Sequence, residues 1–356
     1  QRNIALKNFI NILFLFIALS ACTSTPHCEG LSYTDFSQTR ELKGTVIPLD
    51  TALFRYPFRI RIQGDKAVVM DLHGTDYFCH AFSYPEFHYI SSFGKRGESP
   101  DEQISVENIR WYGESLWSLD ANKSELTRFG CDLSGDSLFR QEAVNLDKDI
   151  LRALDFVMVD DSTFIIPDYS GDNRFCRVNR QGGLLYKMGA ILSSNEDAMK
   201  HARPALAQAW RSFIDYNPRN GVLAAVTQLG EVLEVFNLKD STHVVRIGPH
   251  GEPEFKLSEG YGIPTGIMGF SDVQVTDSAI YAVFHGRSFK EIAQNARKSI
   301  QVDGGQYIYV FNLKGEPLCK YVLDHCIYGI SVNEQKGTIL ATDVNKDEPI
   351  IEYTMK

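Results

Sequence analysis

Six times along this chain a short hydrophobic run ends in a small or acidic residue, turns within about five residues and restarts as a second hydrophobic run. The clearest copies are Val68-Val69-Met70-Asp71, Leu116-Trp117-Ser118-Leu119-Asp120, Phe164-Ile165-Ile166-Pro167-Asp168 and Ile339-Leu340-Ala341-Thr342-Asp343. Leu223-Ala224-Ala225-Val226-Thr227 and Ile280-Tyr281-Ala282-Val283-Phe284 are degenerate copies. Anchors at 71, 120, 168, 227, 284 and 343 stand 49, 48, 59, 57 and 59 residues apart. A strand-rich unit of that length, repeated six times, is the mark of a β-propeller with about four strands per blade. The fold class read from the sequence is therefore all-β, one six-bladed propeller rather than two or three separate domains. At 44% hydrophobic and 12% aromatic residues the chain can bury a core of that size.

The first 21 residues are of a different kind. Arg2 and Lys7 precede an apolar run from Phe9 to Leu19, broken only by Asn11 and followed by Leu19-Ser20-Ala21-Cys22. Such a run is too short to span a bilayer and reads as a signal peptide. Leu19-Ser20-Ala21-Cys22 resembles the bacterial lipoprotein box, which implies acylation of Cys22 and membrane attachment through it; the alternative is a soluble secreted protein cut at an ordinary small-residue site. The domain reading is signal peptide 1–21, lipidated cysteine and polar tether 22–40, propeller 41–356. Removing Arg2 and Lys7 takes the net charge from −9 to −11. An acidic surface provides no basic field for nucleic acid or anionic lipid, so nucleic acid is excluded as a partner and attachment rests on acyl chains. The remaining Cys28, Cys79, Cys131, Cys176, Cys319 and Cys326 are read mostly as small buried hydrophobes. They lack the close Cys/His spacing of a zinc site, and no cofactor or metal is implied.

The last repeat has three strands, Ile327 to Val332, Thr338 to Thr342 and Ile350 to Tyr353, which leaves a sheet edge open. Closed propellers cover such an edge. Thr45-Val46-Ile47-Pro48 is available to pair there and close the ring, with Pro48 suited to an outermost strand. Phe93-Gly94-Lys95-Arg96-Gly97-Glu98 follows the first blade and Ile247-Gly248-Pro249-His250-Gly251-Glu252 the fourth. This Gly-x-x-Gly-Glu loop, with a Pro and an acidic residue after it, resembles the inter-blade loop of NHL-type propellers and of the TolB-like six-bladed propeller lipoproteins of Bacteroidetes. The resemblance implies a six-bladed lipoprotein of the cell envelope. Thr23 to Gly30 lacks the acidic run that follows the cysteine in surface-exported lipoproteins, so an outer-membrane protein facing the periplasm is favoured over a surface-exposed one.

Loops joining one blade to the next share a face with the loops between second and third strands. The two longest insertions both fall there: Ala190 to Ala209 between blades three and four, and Gly286 to Gly305 inside blade five. Ser288 with Glu291 is a capping box, and Phe289, Ile292, Ala296 and Ile300 share a helical face. Ser194 with Asp197 is read as a second cap, with Pro204 forcing a break or restart. Such lids either shape a binding surface or plug the channel. Arg96, His250, Tyr261, His285, Arg287 and Lys290 lie in loops of this face and are the candidate binding residues.

No catalytic residue is assigned. The repeat Asp residues precede turns rich in Gly, Asn and Ser and are read as holding those turns. Gly-x-Ser-x-Gly, His-Glu-x-x-His and phosphate-loop motifs do not occur. Trp111 and Trp210 are read as core or channel packing rather than a sugar platform. Two functions compete: a non-catalytic, membrane-anchored binding or scaffold protein whose lidded face takes a protein or envelope component, and a propeller hydrolase or lyase acting on a sugar or lactone at the channel mouth. A channel with free carboxylates favours the second; one filled by side chains counts against it.

Overall fold

The computed structural model describes residues 30–50, 54–131, 137–298 and 302–355. Blade one is built from Pro57–Gln63, Lys66–Asp71, Tyr77–Ser83 and Tyr89–Lys95, and blade two from Val106–Tyr112, Ser115–Asp120, Glu125–Cys131 and Leu138–Asn145. Blade three uses Val157–Asp160, Thr163–Pro167, Phe175–Asn179 and Leu184–Met188; blade four uses Ser212–Asn217, Val222–Thr227, Val232–Asn237 and Thr242–Ile247. Blade five comprises Phe270–Val275, Ala279–Phe284, Gly305–Asn312 and Pro317–Ile327. Blade six takes Ile330–Asn333, Thr338–Thr342 and Ile350–Thr354 from the C-terminus. Ile327 ends the outer strand of blade five rather than opening blade six.

The hydrophobic repeat that reveals the period is the second strand of each blade. Lys66–Asp71 and Ser115–Asp120 are buried at all but their first residue, and Val222–Thr227 and Ala279–Phe284 throughout. A strand covered on both faces by neighbouring blades carries a continuous apolar run instead of alternation. Each fully buried Val, Leu or Ile there contributes roughly 1.5–3 kcal/mol of transfer free energy.

Thr45–Ile47 pairs antiparallel with Ile350–Thr354, Ile47 opposite Ile350 and Thr45 opposite Glu352, so an N-terminal strand closes the ring. Pro48 lies just past the ladder. The N-terminal chain does more than close the last blade. Gly30–Ser32 adds parallel to the outer strand of blade four and Gln38–Leu42 parallel to that of blade five. Gly30, within the stretch read from sequence as tether, is therefore already paired with the propeller. Buried Tyr33 and Phe36 bridge these two additions, edge-on to Phe311 with centroids 5.7 and 5.4 Å away. Cys22, Cys28 and the signal segment lie outside the described residues.

Both insertions form helices on one face. Glu196–His201 is capped by Asn195, whose side chain accepts the Ala198 N–H, so the cap sits one residue beyond Ser194. The chain restarts as the helix Arg203–Ala209, with Pro204 in its first turn. Phe289–Arg297 carries the full Ser288/Glu291 capping box. A two-stranded hairpin not foreseen from sequence, Phe255–Ser258 with Tyr261–Pro264, rises between blades four and five.

Candidate functional site

The inner strands converge on the propeller axis, and polar residues there would be costly unless paired. Blade one sends in Arg59 and Arg61, and blade two Asn108 and Arg110. Asp155 precedes the inner strand of blade three, and blades four and five add Asp215 and Asp272. Arg61 grips Asp272 with two bonds of 3.0 Å each, while the Nε of fully buried Arg59 lies 3.5 Å from the same carboxylate. Arg110 reaches Asp155 at 3.1 Å and Asp215 at 2.7 Å. Each carboxylate also accepts a backbone N–H from the next blade: Ile214 to Asp155 at 2.8 Å, Val275 to Asp215 at 2.7 Å and Ile330 to Asp272 at 2.9 Å. Burial alone would raise the Asp272 carboxyl, but Arg59 and Arg61 outweigh it and hold it below the usual range. Burial pushes the Arg59 guanidinium down to about 10 against the pull of Asp272. The axis is thus a plug of three arginines and three aspartates that also rivets blade to blade.

Above the plug, Phe58, Phe213 and Tyr328 floor a hollow of about 370 Å³ on the insertion face, ringed by His73, Arg96 and Arg211. Arg211 is paired with Glu107 at 3.2 Å. One wider arm opens from it, and a second adjoins the first. The first, about 610 Å³, lies beside the helix Arg203–Ala209 and the hairpin, with Leu151, Leu154, Pro204, Leu229 and Pro264 in its walls. The other, about 620 Å³, lies beside the helix Phe289–Arg297 and contains His285, Tyr56, Asp303 and Asn345. Met268 and Phe289 line both arms, and Arg211 and Gln228 join the first to the axial hollow. No residue of the Phe289–Arg297 helix is fully buried. Apolar side chains stand in solvent around the first arm: Leu151, Leu257, Ile263 and Tyr261, the last 64% exposed.

The candidate residues separate on this face. Arg96, His250, Tyr261 and Lys290 are exposed. Arg96 donates to the Gly74 carbonyl at 3.1 Å and lies 5.0 Å from the Phe78 ring centroid. Arg287 donates to the carbonyls of Val302 and Gly304, clasping the far end of its own insertion. His285 is 4% exposed rather than presented to solvent, edge-on to Tyr328 with its Nε2 unpartnered among the described residues. Burial, with Arg287 adding to it, pushes this imidazole down to about 4, so it is neutral at physiological pH.

Sequence reasoning missed Glu231, which is 1% exposed. One of its oxygens accepts the Tyr33 hydroxyl at 2.7 Å, and the other lies 2.6 Å from His250 Nδ1. That carboxylate fixes the imidazole and ties the N-terminal segment to blade four. The repeat Asp residues hold turns. Asp71 accepts the N–H groups of Arg55, Tyr56 and His73, and Asp120 those of Ile104, Ser105, Asn122 and Lys123. Each therefore ties the entrance of its blade to the turn that follows. Among the described residues no group of three or more His, Cys, Asp or Glu side chains is placed to hold a metal ion, and Cys79, Cys131, Cys176, Cys319 and Cys326 are unbridged.

A family model described as TolB-like 6-blade propeller-like matches residues 35–335. Among solved structures, a candidate exported protein of Bacteroides fragilis superposes with a TM-score of 0.54 at 10% identity, covering 91% of this chain and 98% of its own. A member of the DUF4221 family from Bacteroides vulgatus gives 0.53 at 10% identity, covering 88% and 98%. At such identities the likeness is one of fold. Comparison with curated protein sequences returned no match.

Proposed function

The chain belongs to the TolB-like six-bladed propeller family, and from that premise we propose that it is an exported, membrane-anchored binding protein of the cell envelope that holds a protein or envelope component on its insertion face. The observation that carries this reading is the hollow over a filled axis. The plug commits the channel's charged groups to one another, while both insertions and the extra hairpin raise walls of apolar and aromatic side chains around the mouth. Exposed apolar residues gathered at one rim mark a contact surface better than scattered ones do. Anchoring rests on Cys22; no helix among the described residues is long and apolar enough to cross a membrane. The test is fractionation and capture from the native membrane. Cys22→Ser should move the protein to the soluble fraction, and Phe289→Ser with Ile292→Ser should lose the captured partner while the thermal midpoint stays put. Capture undiminished by the double variant would remove this face from the account.

A second reading, a hydrolase or lyase acting on a sugar or lactone, draws on the Glu231–His250 pair alone. An imidazole oriented by a buried carboxylate beside a cavity of about 630 Å³ that also contains Lys320 and Tyr307 is the arrangement a general base uses. Turnover of an aryl glycoside or lactone that disappears in His250→Gln would establish it; no turnover in the wild type disposes of it.

A further inference from the structure

The axis opens on both faces, and the opposite mouth is a separate cavity lined by Trp111, read from sequence as core or channel packing rather than a sugar platform. It is a pit of about 310 Å³ to which all six blades contribute: Arg61, Arg110, Met158, Asp215, Gln274 and Ser331 each come from a different one. Its floor is the lower side of the ion-pair plug. Its walls are aromatic: Trp111 and Tyr112 from the end of one inner strand, Tyr216 from another, all part-exposed. Trp111 is held in place, its indole N–H 3.3 Å from the Arg61 carbonyl. Arg110, nine-tenths buried, lines the pit and is fixed there by Asp155 and Asp215.

We propose that this axial pit is a binding site for a neutral saccharide ring, stacked on Trp111 and Tyr216 with its hydroxyl edge on the Arg110, Asp215 and Gln274 floor. The chemistry follows from charge and shape. The plug as a whole sums to zero, Arg59, Arg61 and Arg110 against Asp155, Asp215 and Asp272, and of these Arg61, Arg110 and Asp215 line the pit, each already in an ion pair. A cationic ligand, which aromatic walls would otherwise welcome, meets Arg61 and Arg110 at the bottom. An anion finds those guanidinium groups already committed and faces the negative sides of the rings. A hydrocarbon would leave the polar floor dry and unpaired. A pyranose combines what remains, a C–H face that lies on an aromatic ring and an edge of hydroxyls that both donate and accept. This site is independent of the insertion-face hollow, from which the plug divides it.

The experiment is saturation-transfer NMR on the intact protein with glucose, galactose and N-acetylglucosamine as probes, and glucuronate and glucosamine as charged counterparts. At least one neutral sugar should give saturable transfer, with weaker transfer to both charged ones. Trp111→Ala and Tyr216→Ala should each weaken binding about fivefold to tenfold, the scale of one lost aromatic contact, whereas Phe289→Ser on the other face should leave it unchanged. Should Trp111→Ala lower the thermal midpoint, Tyr216→Ala alone decides. No transfer to any neutral sugar, transfer that survives Tyr216→Ala, or preference for a charged sugar would overturn the assignment.

Discussion

Replacing Asp272 with alanine is the sharpest perturbation the plug offers. The side chain is 1% exposed and takes two 3.0 Å bonds from Arg61, the nearby Nε of Arg59, and the N–H groups of Ile330 and Val273 at 2.9 and 3.0 Å. Removing it leaves Arg59, wholly buried, without its ion-pair carboxylate and with only the more distant Asp155 acting on it among the described residues, and strands the Ile330 N–H that joins blade five to blade six. Breaking a buried ion pair from one side costs about 3–5 kcal/mol, mostly the penalty of the orphaned charge. With about 300 folded residues the entropy of unfolding at the midpoint is about 0.6 kcal/mol/K, so the midpoint should fall by about 5–8 °C. Differential scanning calorimetry measures this directly. Asp65→Ala, which removes an exposed partner of Lys66, serves as the control and should shift the midpoint by less than about 1 °C. The sign with pH is fixed as well. Asp272 has a folded pKa below its unfolded value, so its contribution is complete above the unfolded pKa and is lost as pH falls through the folded one. A midpoint for Asp272→Ala within 1 °C of wild type would refute the idea that the plug rivets the ring.

Three further outcomes follow from other parts of the molecule. Deleting residues 30–47 strips the outer edges of blades four, five and six, and should lower the thermal midpoint and expose strand edges to aggregation, both readable by calorimetry with light scattering. His285 has a folded pKa of about 4, below its unfolded value, so between roughly pH 6.5 and 4 the unfolded state binds the extra proton and acidification destabilises the protein; denaturation curves of His285→Asn should lose that part of the pH slope. Burial pushes the Cys79 thiol up and that of Cys176 to about 12, so in the native state both should resist a disulfide reagent that labels them in denaturant.

The blade period was legible because each second strand is sandwiched between neighbours and must be apolar throughout, which writes a continuous run into the sequence six times. The role of Asp71 and Asp120 was legible because part of it is local, to the turn two or three residues on. Their longer reach to residues 15 and 16 positions earlier has no local trace. The plug was not read at all. Arg61 and Asp272 are 211 residues apart, and polar residues on an inner strand look like ordinary strand alternation. A signal was nevertheless there: Asp155, Asp215 and Asp272 are 60 and 57 residues apart, a second acidic register at the blade period beside the one that ends the second strands. The N-terminal additions were hidden for another reason. Gln38–Leu42 is exposed at four of its five residues, so nothing in its composition marks it as a strand. His285 and Arg287 were placed on the right face but given surface roles; the close approach of Gly305 to Phe284 and His285 draws the insertion inward, so one becomes core and the other a clasp.

The central claim, that the walled insertion face is where this propeller meets its partner, is tested most directly by site-specific photocrosslinking in the native membrane. A photoreactive residue at Tyr261 or at Phe289 should give one and the same crosslinked species, and the same residue at Arg219, on the opposite face, should give none. Crosslinks from Arg219 but not from Tyr261 or Phe289 would contradict the account.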